Sequence, residues 1–188
     1  MQIHHHNFQY DPEERRKRQD PALILKDIGL KPDMVFIDIG SNDGFFSIPA
    51  ANIVGSKGKI YAVDINATAI EKLIENFKDT DITNYVTLVA KAEEAVFGEN
   101  IADLIFLGTV LHDFEDPVKV LKNAKTMLKR SGKLVNLDWR KKVMDIGPPF
   151  DIRFSKSQAT KLIEEAGFNI TLCNNYDKSY YVIEATVS

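Results

Sequence analysis

Two hydrophobic periodicities alternate along the chain. Short, nearly unbroken apolar runs occur at Met34–Ile39, Lys59–Asp64, Tyr85–Val89, Ala102–Leu107 and Lys133–Asp138. Runs without polar alternation predict strands buried on both faces, as in a parallel sheet. Between them, Ile70, Leu73, Ile74 and Phe77 fall at helical spacing, as do Val120, Leu121, Ala124, Met127 and Leu128. Asp116-Pro117 reads as an N-cap followed by proline at the first helical position, with Gly132 after the helix end. A last helix starts at Ser155, where Gln158 completes a capping box. It turns Ala159, Leu162, Ile163 and Ala166 inward and stops at Gly167. Phe168–Leu172 and Tyr180–Thr186 then predict an antiparallel pair at the sheet edge. The expected fold is α/β and doubly wound. Its seven-stranded sheet is mostly parallel, with one antiparallel C-terminal strand.

The first strand ends in Asp38-Ile39-Gly40-Ser41-Asn42-Asp43-Gly44, after which a helical pattern begins. Glycine carries no Cβ, so such a loop lets a ligand approach the backbone closely. Asp64 lies twenty residues past Gly44 at the tip of the next strand, where a carboxylate can take two ribose hydroxyls. These features predict a cofactor containing a nucleoside. A dinucleotide fingerprint would place a third glycine where Phe45 stands, and Asp43 would repel a pyrophosphate. A nicotinamide-dependent oxidoreductase is therefore the weaker reading. Asn42 replaces the usual middle glycine and is the residue type that best tolerates a left-handed backbone.

Composition narrows the class. The chain has 188 residues, 44% hydrophobic and 27% charged, which suits one globular domain. No apolar run is long enough for a membrane span, and no signal-peptide core stands near the start, so a cytoplasmic location is expected. The one cysteine, Cys173, excludes an intrachain disulfide and a cysteine-cluster metal site, and no metal is expected. A net charge of −3 argues against a nucleic-acid groove. A monomer or homodimer is the expected state.

The spacing from Asp38 to Gly44 resembles motif I of the class I S-adenosylmethionine-dependent methyltransferases. Ala102-Asp103-Leu104-Ile105-Phe106-Leu107-Gly108 is similar to their fourth motif. Leu128-Lys129-Arg130-Ser131-Gly132-Lys133-Leu134 is similar to their approach to strand 5, with Arg130-Ser131 where Pro-Gly is usual. Asp138-Trp139-Arg140-Lys141, Gly147-Pro148-Pro149 and Arg153-Phe154-Ser155 are similar to the type 11, or ubiquinone/menaquinone-biosynthesis-like, branch.

The resemblance implies a Rossmann-like fold, S-adenosylmethionine as cofactor and methyl transfer to a small-molecule acceptor. It implies cofactor contacts from Asp38, Gly40, Asn42, Gly44, Asp64, Ile65, Ala92, Glu93 and Gly108. Lys91 departs from the acid usual after strand 3, which leaves the adenine contact to Ala92 or Glu93. His112, just past strand 4, is the catalytic candidate because histidine titrates near neutrality. Tyr10, Trp139 and Arg153 are the substrate candidates. Residues 1–30 are expected as a helical lid, 31–139 as the cofactor-binding core, and 140–188 as a substrate loop, last helix and strand pair. The basic run Arg15-Arg16-Lys17-Arg18 keeps an RNA or protein acceptor as an alternative.

Overall fold

In the computed structural model the described residues are 15, 18–78 and 80–187. Seven strands form one sheet in the order β3-β2-β1-β4-β5-β7-β6. They are β1 (Val35–Ile39), β2 (Lys59–Asp64), β3 (Tyr85–Val89), β4 (Ala102–Gly108), β5 (Leu128–Trp139), β6 (Asn169–Asn175) and β7 (Tyr180–Thr186). Only β7 runs against the rest, between β5 and β6, so β6 forms the edge. The expected doubly wound α/β sheet, with its one reversed strand, is the observed one.

Alternation along the strands sorts side chains to two cores. Phe36, Phe106, Val135 and Leu137 face one helical layer. That layer comprises α1 (Pro21–Asp27), α2 (Ser47–Val54) and α3 (Ala67–Lys78). Ile37, Ile39, Ile105, Leu107 and Leu134 face the other, made of α4 (Pro117–Met127) and α5 (Lys156–Glu165). The caps at Asp116 and Ser155 are those the sequence predicts, and Asp20 adds a third. Asp20 accepts from the amides of Ala22 and Leu23, Asp116 accepts from Lys119, and Ser155 and Gln158 cap reciprocally.

Three local expectations change. Helix α1 is a core element and not a lid, because Pro21, Ile24 and Leu25 are buried against α2. Of the rest of the expected lid, Arg15, Arg18–Asp20 and Ile28–Leu30 are described, with Ile28 and Leu30 buried in the core, and the other residues lie outside the described ones. Helix α4 ends at Met127, and Gly132 lies inside β5, where a Cβ would come 2.7 Å from the Ala102 carbonyl oxygen. Gly44 answers to packing. Its φ is +93°, and an added Cβ would lie 2.4 Å from Leu73 Cδ1 and 3.2 Å from Ile48 Cγ1.

Gly44→Ala should therefore destabilise the fold by about 2–4 kcal/mol, through overpacking against Leu73 and the left-handed backbone. Urea unfolding measures this, and an unchanged midpoint would contradict the packing role.

Candidate active site

The strand order reverses at β1, whose neighbours are β2 on one side and β4 on the other. Loops leaving the two halves diverge there and open a crevice at the carboxyl ends of the strands. The structure has a cleft of about 560 Å3 at this place, lined by the loops after β1, β2, β3 and β4.

The loop after β1 forms its floor. The amides of Gly40 and Ser41 donate to the Val63 carbonyl at 2.8 and 3.0 Å, which anchors the loop to the end of β2. Gly40 has φ +78°, and a Cβ there would strike Val110 at 2.6 Å. Asn42 adopts φ 48°, the left-handed conformation its residue type tolerates. Its amide donates to Asp64 Oδ2 at 2.8 Å, while the Asn66 amide donates to Oδ1 at 2.9 Å. One carboxylate thus ties the loops after β1 and β2. A carboxylate offers about four acceptor directions, so capacity for two hydroxyls remains.

Asp38 does not line the cleft. It is 1% exposed beneath the loop and accepts a 2.6 Å hydrogen bond from the Ser47 hydroxyl. Burial pushes its carboxyl up to about 7. The Ser47 bond pulls it down, Asp64 nearby adds to the rise, and Arg15 opposes it. Gly44 is likewise turned to α3 and away from the cleft.

The far wall comes from the segment after β4. Gly108 lines the cleft, and a Cβ there would lie 2.6 Å from Phe106 and 2.9 Å from Phe46. Thr109 follows with φ 63°, a strained value for a β-branched residue, held by its amide donating to Leu137 O at 2.7 Å. At the other end lie Ile65, half exposed, with Ala92 and Glu93. Glu93 Oε1 accepts from the amides of Glu115 and Asp116, and Lys91 Nζ donates to Glu115 at 3.0 Å. These bonds strap the segments after β3 and β4 together.

His112, Arg153 and Trp139, the described catalytic and substrate candidates, do not line the cleft. The His112 side chain is 3% exposed and sits behind the wall. Its Nδ1 lies 3.0 Å from the Asp138 carboxylate, and its Nε2 lies 3.6 Å from Asp113. Burial would lower its pKa, but the Asp138 charge and hydrogen bond, with help from Asp113, outweigh burial and raise it. Arg153 is buried and donates to the carbonyls of Arg140, Lys142, Ile146 and Pro148. It is a clamp for the 140–154 loop, not a side chain presented to a substrate. Trp139 is 5% exposed, packed on Tyr180 and covered by Gly147. Tyr10 lies outside the described residues.

Other cleft residues escape sequence reading. Ser41 lines the cleft, and its hydroxyl is buried without a hydrogen-bond partner among the described residues. Arg15 reaches the cleft with its guanidinium 3.8 Å over the Phe45 ring, while its Nε donates to Gln19. Asp113 and Phe114 complete the wall.

Comparison with known proteins identifies the architecture. The chain belongs to the methyltransferase-domain family, whose model matches residues 30–167. A solved S-adenosylmethionine-dependent methyltransferase from Aquifex aeolicus is 27% identical. It superposes with a TM-score of 0.87 over 95% of this chain and 100% of that one. A candidate type 11 methyltransferase from Sulfolobus solfataricus is 25% identical, with a TM-score of 0.69 over 82% of this chain and 83% of that one. The ubiquinone/menaquinone biosynthesis C-methyltransferase UbiE of Vibrio vulnificus is 30% identical over 118 residues, 62% of this chain and 45% of that protein. The chain spans about half the length of the curated relatives it matches. It is a class I S-adenosylmethionine-dependent methyltransferase of the type 11 branch.

The cleft fits that cofactor on three observations. A Cβ at Gly40 would strike Val110 and one at Gly108 would strike Phe106 and Phe46, so the cleft stays bare backbone at both positions. Asp64 presents a fixed carboxylate at the tip of β2. The Ser41 hydroxyl is an orphaned polar atom that a ligand would satisfy.

The buried acid makes stability depend on pH. The folded Asp38 carboxyl, near 7, holds its proton more tightly than an unfolded one near 3.8. Its contribution is complete below pH ~4 and is lost as pH rises through about 7. His112, also raised, has the same sign: its contribution is present below its ordinary value and lost as pH rises through the folded one. Asp38→Asn keeps an acceptor for Ser47 and removes the titration. Between pH 4 and 8 the wild type should lose on the order of 2–4 kcal/mol relative to the variant. Parallel urea-unfolding profiles for the two chains would contradict this.

Proposed function

We propose that this methyltransferase acts on a small-molecule acceptor, taken up in the cleft beside Val110 and Phe114, and that it works in the cytoplasm. The observation that carries the reading is the cleft itself, about 560 Å3 and walled on several sides by loops. That volume is the scale of a small-molecule site. S-adenosylmethionine supplies an already activated methyl group. The residues of the chain bind, orient and exclude water. Asp64 would take the ribose hydroxyls, the Gly40–Asn42 backbone and the Ser41 hydroxyl would hold the amino-acid part, and Ile65 and Ala92 would bracket the base. Alignment of this kind can supply ~7–11 kcal/mol of a reaction barrier. That accounts for a site built largely from fixed backbone. The named reaction of the UbiE relative makes hydroquinone-type aromatic acceptors the first class to try.

An RNA acceptor fits the cleft less well. Among the described residues its ionisable lining is Arg15 and Lys91 against Asp64, Glu93, Asp113 and Glu115, an acidic balance that repels phosphates.

The test uses methyl-labelled S-adenosylmethionine, the purified chain and a fractionated cell extract, with labelled products identified by mass. Label should appear in the small-molecule fraction. Asp64→Ala should reduce it at least tenfold at limiting cofactor, because a charged hydrogen bond contributes ~1.5–3 kcal/mol. Label confined to RNA or protein would contradict the proposal.

A further inference from the structure

The segment from Gly108 to Glu115 forms one wall of the cleft from end to end. At one end Val110 packs over Gly40. At the other, Glu115 pairs with Lys91 and its amide is capped by Glu93. Asp113 lies between these two anchors. Its side chain is 58% exposed and lines the cleft. Behind it stands His112, in ion-pair range at 3.6 Å, and behind His112 stands the buried Asp138 carboxylate. Asp138 is fixed in turn by the Trp139 amide at 2.7 Å. A surface aspartate would ordinarily be free to swing into solvent. This one is attached to a short 3-10 turn, Leu111–Asp113, whose Leu111 and His112 are anchored in the core.

Counted by formal charge, the described residues of the cleft lining include two cations and four carboxylates, and Lys91 pairs with Glu115. Such a wall acts on a ligand's net charge. S-adenosylmethionine and its product S-adenosylhomocysteine share adenine, ribose and amino acid, and differ by one methyl and one positive charge on sulfur. Contacts to the shared parts cannot tell them apart. We propose that Asp113, held at the wall by its link to the His112–Asp138 pair, is a specificity determinant that favours the sulfonium cofactor over the neutral thioether product and so limits product inhibition. The inference rests on the cofactor assignment and adds a role for a residue that touches neither ribose nor base in that assignment.

Calorimetry with the two purified ligands tests it without knowledge of the acceptor. In Asp113→Asn, binding of S-adenosylmethionine should weaken about three- to tenfold at low salt, the range expected for one partly solvated charge pair. Binding of S-adenosylhomocysteine should change less than twofold. The difference should shrink as salt is raised, and Asp113→Glu should restore it. Asp64→Asn serves as the contrast, since it should weaken both ligands by removing a contact to the ribose they share. Equal weakening of both ligands by Asp113→Asn, or no weakening of either, overturns the proposal while leaving the cofactor assignment intact. A wild-type chain that binds neither ligand overturns the cofactor assignment and the proposal with it.

Discussion

The reversal of strand order at β1 is the constraint on which the rest depends. β2 and β3 are added on one side of β1, and β4 and β5 on the other. The connecting helices consequently pack on opposite faces, and the loops at the carboxyl ends part company at that point. Every residue assigned to the cofactor follows from this. Gly40 and Asn42 leave β1, Asp64 ends β2, and Gly108 ends β4. Asp64 then closes the arrangement, because its carboxylate receives amides from both sides of the β1–β2 join. Glu93 does the same for the segments after β3 and β4. The cleft is shaped by charged side chains that bond backbone amides before any ligand arrives, so little ordering is left for binding to supply.

The buried acids and the histidine are used differently. Asp38 and Asp138 are each 1% exposed and each has a hydrogen-bonding partner, Ser47 for the first and His112 for the second. Neither lines the cleft. Asp38 braces the start of α2 beneath the cofactor loop, and Asp138 braces the turn that carries Asp113. Buried carboxyl groups are thus placed one layer behind the ligand surface, where their hydrogen bonds set the position of what does face the cleft.

Most of the architecture was legible because it is written in local signals. Apolar runs mark the five leading strands, Asp116-Pro117 marks the start of α4, and Ser155 with Gln158 marks α5. The spacing from Asp38 to Asp64 was enough to bring one loop and one carboxylate to a common site. What stayed illegible depends on distant neighbours. Gly44 is a glycine because of Leu73 on α3, beyond the following strand. Arg153 looks like an exposed substrate ligand until the carbonyls of its own loop converge on it. His112 looks catalytic until Asp138, from the adjacent strand, draws it behind the wall. Thr109 has no sequence signature at all, since nothing about a threonine announces a positive φ. Gly132 reads as a helix stop, but α4 passes directly into β5 through an irregular pairing between Ala102 and Leu104.

The central claim is that one cleft at the β1 reversal receives the cofactor. Amide hydrogen exchange, with and without S-adenosylhomocysteine, tests it most directly. The account predicts added protection at residues 40–44, 64–66, 91–93 and 108–115, with β6 and the β6–β7 turn unchanged. Protection confined to the β6–β7 side, or none at 40–44 and 64–66 under saturating ligand, would contradict it.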